Sequence, residues 1–305
     1  EVLGDGASLE ALNVSCSALM KLYGGLGGST ECSIANSLWT DPEGRMQEDF
    51  VGRCSGIFDA QVFQEDLSAP VIVPALNSWV SDHTAGMIPQ IIQRPFGEGA
   101  AALMVNALYL KNTWAAKFDP SDTVTRDFTR ADGAAEPLDF LQHFSRSLTY
   151  LQSGSDEGVL LPYDDGRLAF FALMPRQSSG VPDFERWLSS LTGEGLSALL
   201  SGREETFFLR LSLPKFEQEW SGELKDALAA LGLTDAFDPD LADFSLLGDD
   251  PRGYYLSQVI HAARIEVNEE GTEAAAATVV AAASGAAPPQ EGVTLIFDRP
   301  FLYGI

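Results

Sequence analysis

The side chains that could do chemistry are present in this sequence, but none is spaced to do it. The three histidines, His83, His143 and His261, lie far apart, and no H-E-x-x-H pair occurs. No serine occupies a G-x-S-x-G elbow: Ser55, Ser78, Ser153 and Ser257 all have other neighbours. Cys16, Cys32 and Cys54 form no C-x-x-C and have no histidine at zinc spacing. They read as three small apolar side chains in or near the core, with one disulfide as the alternative. The acid pairs Asp164/Asp165 and Asp249/Asp250 stand beside glycine or proline, which is turn chemistry rather than an acid–base pair. The glycine cluster at 24–30 lacks the Gly-Lys-Ser/Thr ending of a phosphate cradle and reads as a turn. The expectation is a protein with no catalytic residue, metal or cofactor.

Composition narrows the partners. The chain of 305 residues carries 44 acidic and 19 basic side chains, a formal net charge of −25. Such a field repels phosphate backbones, and no Lys/Arg cluster relieves it, so nucleic acid is excluded as a partner. With 45% apolar residues the chain has the material for a substantial core. No segment offers the roughly 18 apolar residues of a membrane-spanning helix. The first residues have neither the basic start nor the apolar stretch of a signal peptide, and both ends read as cut.

The elements follow from hydrophobic spacing. Helical stripes occur at 8–23, 43–58, 74–92, 184–191 and 222–231, the last closed by Gly232. Residues 100–110 are almost continuously apolar, which predicts a central strand buried on both faces. Further strands are expected at 32–39, 159–162, 167–174, 206–213 and 258–267, and a buried one at 301–305. Helices and strands mix without strict alternation or internal repeat. The expected class is α+β, one extended domain over 1–305.

One segment asks for a special explanation. From 274 to 290 there is no charge, and nine of the seventeen residues are alanine. A surface helix would carry charge on one side, and a linker would be richer in Gly, Ser, Pro or charge. A loop that must at times lie as a strand inside a sheet fits better, because small side chains insert between packed neighbours at little cost. At period two, Thr272, Ala274, Ala276, Thr278 and Val280 share one face.

The run Glu269, Glu270, Gly271, Thr272, Glu273, Ala274, Ala275, Ala276, Ala277 and Thr278 resembles the reactive-loop hinge of inhibitory serpins. The resemblance covers nearly the whole chain in order. Asn77, Trp79, Val80, Thr84 and Ile88 resemble the family's N-x-W-V-x-x-x-T helix. Asn106 to Trp114 with Phe118 is similar to its central strand. The runs at 213–216, 231–237, 242–245, 257–261 and 299–301 match further motifs. The resemblance implies a large mixed central sheet, further sheets, surrounding helices and an exposed loop over 269–290. It implies suicide inhibition of serine proteases, or of cysteine proteases. The loop is cleaved, the acyl-enzyme is trapped, and the loop inserts into the sheet, an established instance of strand addition and released strain. The alternative is a non-inhibitory member acting as a carrier, chaperone or storage protein. Family loop length puts the reactive bond at Gly285–Ala286, within the range from Ala283 to Ala287. Small residues there suit an elastase-like or subtilisin-like target. A trypsin-like target is excluded, because no Lys or Arg lies between Arg264 and Arg299. By resemblance, Asn106 and His261 belong to a hydrogen-bonding cluster beneath the opening point of the sheet. Trp114 matches the tryptophan where the loop first enters. The family is usually monomeric, and the resemblance alone favours an extracellular setting. Two departures stand out. The N-x-x-x-S-P-x-S strand and the helices before it are not found, and the last apolar strand is missing, so the chain is expected to be incomplete at both ends.

A charge in the hinge should block insertion, since burying it costs several kcal/mol. Ala276→Glu is expected to turn inhibitor into substrate, and an unchanged stoichiometry of inhibition in that variant would exclude insertion of this segment.

Overall fold

The computed structural model describes residues 6–27, 29–145, 148–176, 184–204, 208–249, 253–272 and 292–305. In chain order the first elements are α1 (Leu9–Gly24), β1 (Glu31–Thr40), β2 (Arg45–Met46), α2 (Glu48–Phe58), β3 (Ala60–Gln64), α3 (Ile72–His83) and β4 (Ala102–Thr113). Then come β5 (Val124–Thr129), β6 (Ala135–Ser145), β7 (Thr149–Ser153), β8 (Asp156–Pro162), β9 (Ala169–Pro175), α4 (Phe184–Ser190), α5 (Gly193–Ser201), β10 (Arg203–Glu204) and β11 (Leu209–Pro214). The last are β12 (Phe216–Glu223), α6 (Lys225–Ala230), β13 (Gly248–Asp249), β14 (Leu256–Val267), β15 (Gly271–Thr272), β16 (Val293–Ile296) and β17 (Leu302–Gly304). The α+β class is as expected from the sequence.

The chain divides into two compact units. Unit 1 comprises Glu1–Leu26, Glu31–Leu110 and Gln218–Ile265; unit 2 comprises Gly27–Thr30, Lys111–Glu217 and Glu266–Ile305. Strands β4 and β14 each change unit along their length. The mixed six-stranded sheet runs in the order β12-β14-β15-β4-β1-β3, and β14 also pairs directly with β4. Unit 2 holds a five-stranded sheet, β10-β7-β8-β9-β17, and a four-stranded one, β16-β11-β6-β5.

The core of unit 1 shows why alternation matters. Leu103, Val105 and Ala107 of β4 pack with Ile72, Leu76, Trp79 and Val80 of α3. The intervening Met104 and Leu108 remain 45% and 37% exposed. The strand is therefore not buried on both faces: α3 covers one face, and an apolar run read without its partners cannot tell one covered face from two.

Helix α3 also ends sooner than its periodicity suggests, at His83 instead of 92. Ala85 and Gly86 adopt φ of 51° and 80°, and the Gly86 N–H returns to the Ser81 carbonyl at 2.7 Å. Asn77 then holds the following segment against the helix. Its Oδ1 accepts from the backbone N–H of Ile91 (2.8 Å) and Ile92 (3.1 Å), and its Nδ2 donates to the Ile92 carbonyl (2.9 Å). Apolar residues beyond the stop thus join the same core without being helical.

Other boundaries move for similar reasons. Helix α2 begins at Glu48, because Arg45–Met46 pairs with Gly248–Asp249. Residues 222–223 belong to β12, so α6 begins at Lys225. Strands β3, β5, β6, β7 and β12 and helix α5 have no counterpart among the elements expected from hydrophobic spacing. At the far end Leu302, Tyr303 and Gly304 pair with β9 but are only half-buried, and Ile305 is exposed, which corrects the expected buried strand. All three cysteines are free thiols and half-buried, which leaves the alternative of a disulfide unfilled.

Candidate functional site

The hinge leaves the sheet through a turn in unit 2. The Asn268 Oδ1 accepts from the backbone N–H of Glu270 (3.0 Å) and Gly271 (3.3 Å), and the Asn268 N–H donates to the Gly271 carbonyl (3.1 Å). This reverses the chain, so that Thr272 lies opposite Val267 of β14 on one side and Asn112 of β4 on the other. Gly271 faces Thr113, and a Cβ there would overlap the Asn112 carbonyl. Glycine is the residue this approach admits.

An aromatic floor supports the turn. Trp114 stacks on Tyr163 with ring centroids 4.9 Å apart, and Phe118 and Phe170 meet the Trp114 ring edge-on. The indole Nε1 donates to the Asn268 carbonyl at 2.9 Å. The Tyr163 hydroxyl meets the Thr272 Oγ1 at 2.5 Å, and both residues are 1% exposed. Burial drives the Tyr163 phenol well above its ordinary range, with the Asp165 charge adding to the rise and the Thr272 hydrogen bond opposing it. The phenol therefore stays neutral. The Asp165 carboxylate accepts from the Asn112 Nδ2 (2.8 Å) and the Thr30 Oγ1 (2.6 Å), which holds the residue paired with Thr272.

Two acids anchor the base of the turn. The Glu269 Oε1 accepts from the Lys215 Nζ (3.0 Å) and the Thr123 Oγ1 (2.8 Å). Burial alone would raise the Glu269 carboxyl; the Lys215 bond and charge, its own backbone N–H and Thr123 outweigh that and hold it below the usual range. Glu270 pairs with Lys117 at 2.5 Å.

Unit 1 holds the second cluster. Strands β4 and β14 run parallel there, paired from Leu256/Ala102 to Ala263/Leu108, with His261 opposite Asn106. The Asn106 Nδ2 donates to the Asn36 Oδ1 at 2.8 Å and points to the Ala35 carbonyl at 3.4 Å, which fixes its amide orientation. Its Oδ1 is then the acceptor for the His261 Nδ1–H at 2.7 Å, assigning the proton to Nδ1. Trp220 lies 5.7 Å from the imidazole. Burial pushes the His261 pKa below its ordinary value, and the Asn106 hydrogen bond opposes the shift.

Of the residues marked from the sequence, Asn106 and His261 meet in unit 1. Trp114, Glu269, Glu270, Gly271 and Thr272 meet in unit 2. Glu273, Ala274, Ala275, Ala276, Ala277, Thr278 and the proposed Gly285–Ala286 bond lie outside the described residues. Tyr163, Asn268, Asn36, Trp220 and Lys117 were missed. Lys215 stood inside the run at 213–216 and was legible there, whereas Tyr163 carried no signal beyond its turn. The other histidines serve local packing: His83 Nδ1 bonds the Trp79 carbonyl at 2.7 Å, and His143 packs against Phe118.

A family model described as Serpin (serine protease inhibitor) matches residues 3–305. Serpin B10 of Sorex araneus is 31% identical over 233 residues, covering 75% of this chain and 57% of its own length. The chain thus spans little more than half of that relative. Plasminogen activator inhibitor 1 of Neovison vison is 33% identical over 302 residues, covering 94% of this chain and 72% of that protein. Among solved structures, tengpin, a thermophilic serpin in its native state, matches with a TM-score of 0.89 at 28% identity. It covers 99% of this chain and 76% of tengpin.

Two predictions follow from this geometry. Tyr163→Phe leaves the Thr272 hydroxyl buried without its partner and should cost about 1–3 kcal/mol, read as a lowered denaturant midpoint at unchanged slope. The second concerns pH. His261 binds its proton less readily folded than unfolded, so its contribution is complete above about pH 6.5 and is lost as pH falls from there toward the folded pKa. His143 is shifted the same way by burial, with Asp122 opposing. Melting temperature should fall between pH 7 and 5, and His261→Gln and His143→Gln should each flatten part of that slope.

Proposed function

The chain belongs to the serpin family, and on that premise we propose that it is a suicide inhibitor of a serine protease with small-residue preference. The observation that carries this reading is the double pairing of Thr272. The hinge already occupies strand position between β14 and β4 in unit 2, while the same two strands are closed on each other in unit 1. Continuing the antiparallel register of Thr272 with Asn112 would set residues 273–282 opposite Lys111 through Ala102. Apart from Glu273, those ten residues are Ala, Val or Thr. Ala276 would fall opposite Leu108 and Val280 opposite Met104, apolar against apolar.

The reactive bond then lies just past the inserted strand. The protease serine attacks the Gly285 carbonyl, the Ala286 amine leaves with a proton, and an ester joins Gly285 to the enzyme. Insertion of 273–282 before water cleaves that ester would carry the acylated protease with it. A metastable, kinetically held native state is the physical requirement. The local interactions suit it: Asn106 and His261 tie the closed strands together, while the turn at Asn268 holds the hinge at the entrance. The small residues from Ala283 to Ala287 favour elastase-like or subtilisin-like targets over trypsin-like ones.

Incubation with elastase or subtilisin is expected to give a covalent band on a denaturing gel, with cleavage mapped to Gly285. The cleaved inhibitor should melt far above the intact protein. Clean cleavage with neither complex nor thermal gain would overturn the reading.

A further inference from the structure

Unit 1 contains a cleft of about 970 Å³ where β4 and β14 begin, within the size range of small-molecule sites. Arg94, Glu98 and Ala100, on the approach to β4, form one wall, and Tyr255, Ser257 and Gln258, at the start of β14, form another; Lys225 also lines it. We propose that this cleft binds a small polyanion, a phosphate ester or a di- or tricarboxylate, and that the bound anion staples β4 to β14 against separation. The staple rests on the insertion reading above; the binding site does not.

Arg94, Lys225, Tyr255 and Ser257 line the same cleft. Arg94 and Lys225 make no ion pair among the described residues, and the Lys225 Nζ is held 5.7 Å over the Phe237 ring with its hydrogens unspent. The pairing of β14 with β4 slips between Leu256 and Gln258, and Ser257 sits in that irregularity. Its Oγ accepts from the Ala101 N–H at 2.9 Å, leaving the hydroxyl proton free to donate. The Tyr255 hydroxyl gives its proton to the Gly99 carbonyl at 2.9 Å, which orients the ring at the rim. Among the residues that line the cleft, Arg94 and Lys225 face the single carboxylate of Glu98, while Asp41, Glu43 and Asp66 line an adjoining cleft that shares Glu98 and Ala100. The acidic remainder of the chain is screened beyond roughly 8 Å at physiological salt. A guanidinium grips a carboxylate or phosphate through two parallel hydrogen bonds, and an ammonium adds a point charge to a second anionic group. A ligand with two or more charges can engage both.

Placement gives the site its consequence. An inserted strand would move β14 away from β4 by one further strand spacing, about 4.8 Å, and would part the two walls. A ligand that bridges them therefore favours the closed pairing. At ten times its dissociation constant it shifts that equilibrium about elevenfold.

The test is calorimetric titration of the intact protein with citrate, inorganic phosphate and glucose 6-phosphate in turn, against sodium chloride of matched ionic strength. Saturable binding is expected for at least one probe, and which one separates carboxylate from phosphate recognition. Arg94→Gln and Lys225→Gln should each weaken it about tenfold, while Arg94→Lys keeps part of it; both positions can be checked for cooperative unfolding first. The loop-cleaved form, its insertion certified by thermal gain, should bind at least tenfold more weakly than the intact form. Heats no larger than those of sodium chloride, or affinity unchanged in both Gln variants, would overturn the site. Equal affinity for intact and cleaved forms would overturn the staple. Because binding is read without a protease, a failure of inhibition leaves this result distinct.

Discussion

The structure turns on a strand position that is filled at one end and closed at the other. In unit 2, Thr272 has β14 on one edge and β4 on the other. In unit 1, those strands pair directly over seven positions. Backbone donors in a sheet interior must be paired, so the two arrangements exclude each other at every residue. Extending the hinge strand by one residue means opening one more position of the direct pairing. The proposed insertion would exchange one of these sets of hydrogen bonds for the other.

The side chains around that choice are polar and hydrogen-bonded: Tyr163, Thr272 and Asn112 are buried, and Asp165, Asn106 and His261 are half-buried. Tyr163 with Thr272, and Asp165 with Asn112, hold the filled end through neutral and charged hydrogen bonds. Asn106 with His261 holds the closed end from within the ladder itself. Buried polar pairs of this kind add little net stability when satisfied and cost much when broken. They suit the seam that the proposed insertion would have to open. The apolar core spans the same seam: Ile260 and Ala262 of β14 join Leu103, Val105 and Ala107 of β4 against α3.

Legibility in the sequence followed the range of the interaction. The uncharged, alanine-rich segment from 274 to 290 could be read directly from composition, whereas the hinge run with its glycine at 271 was named through resemblance to serpins. Trp114, Asn106 and His261 were found only through resemblance to serpins, since a lone Trp, Asn or His in an apolar run is ordinary core by composition. Tyr163 stayed hidden. It lies 109 residues from Thr272, and nothing local distinguishes it from any tyrosine before a turn.

The sequence by itself determined the family and the α+β class, and part of the element order, because motif order, turn residues and periodicity are local properties of the chain. Its net charge of −25 argues against a phosphate-backbone partner, and no Lys or Arg lies between Arg264 and Arg299. Tertiary structure alone decided which face of β4 is covered, where α3 stops, and which partners receive the acids at 269 and 270. Those depend on groups brought together from distant segments: Asn77 with Ile92, Lys215 with Glu269, Lys117 with Glu270. One-dimensional spacing carries no record of such meetings, and hydrogen-bond geometry in the folded chain is what selects them.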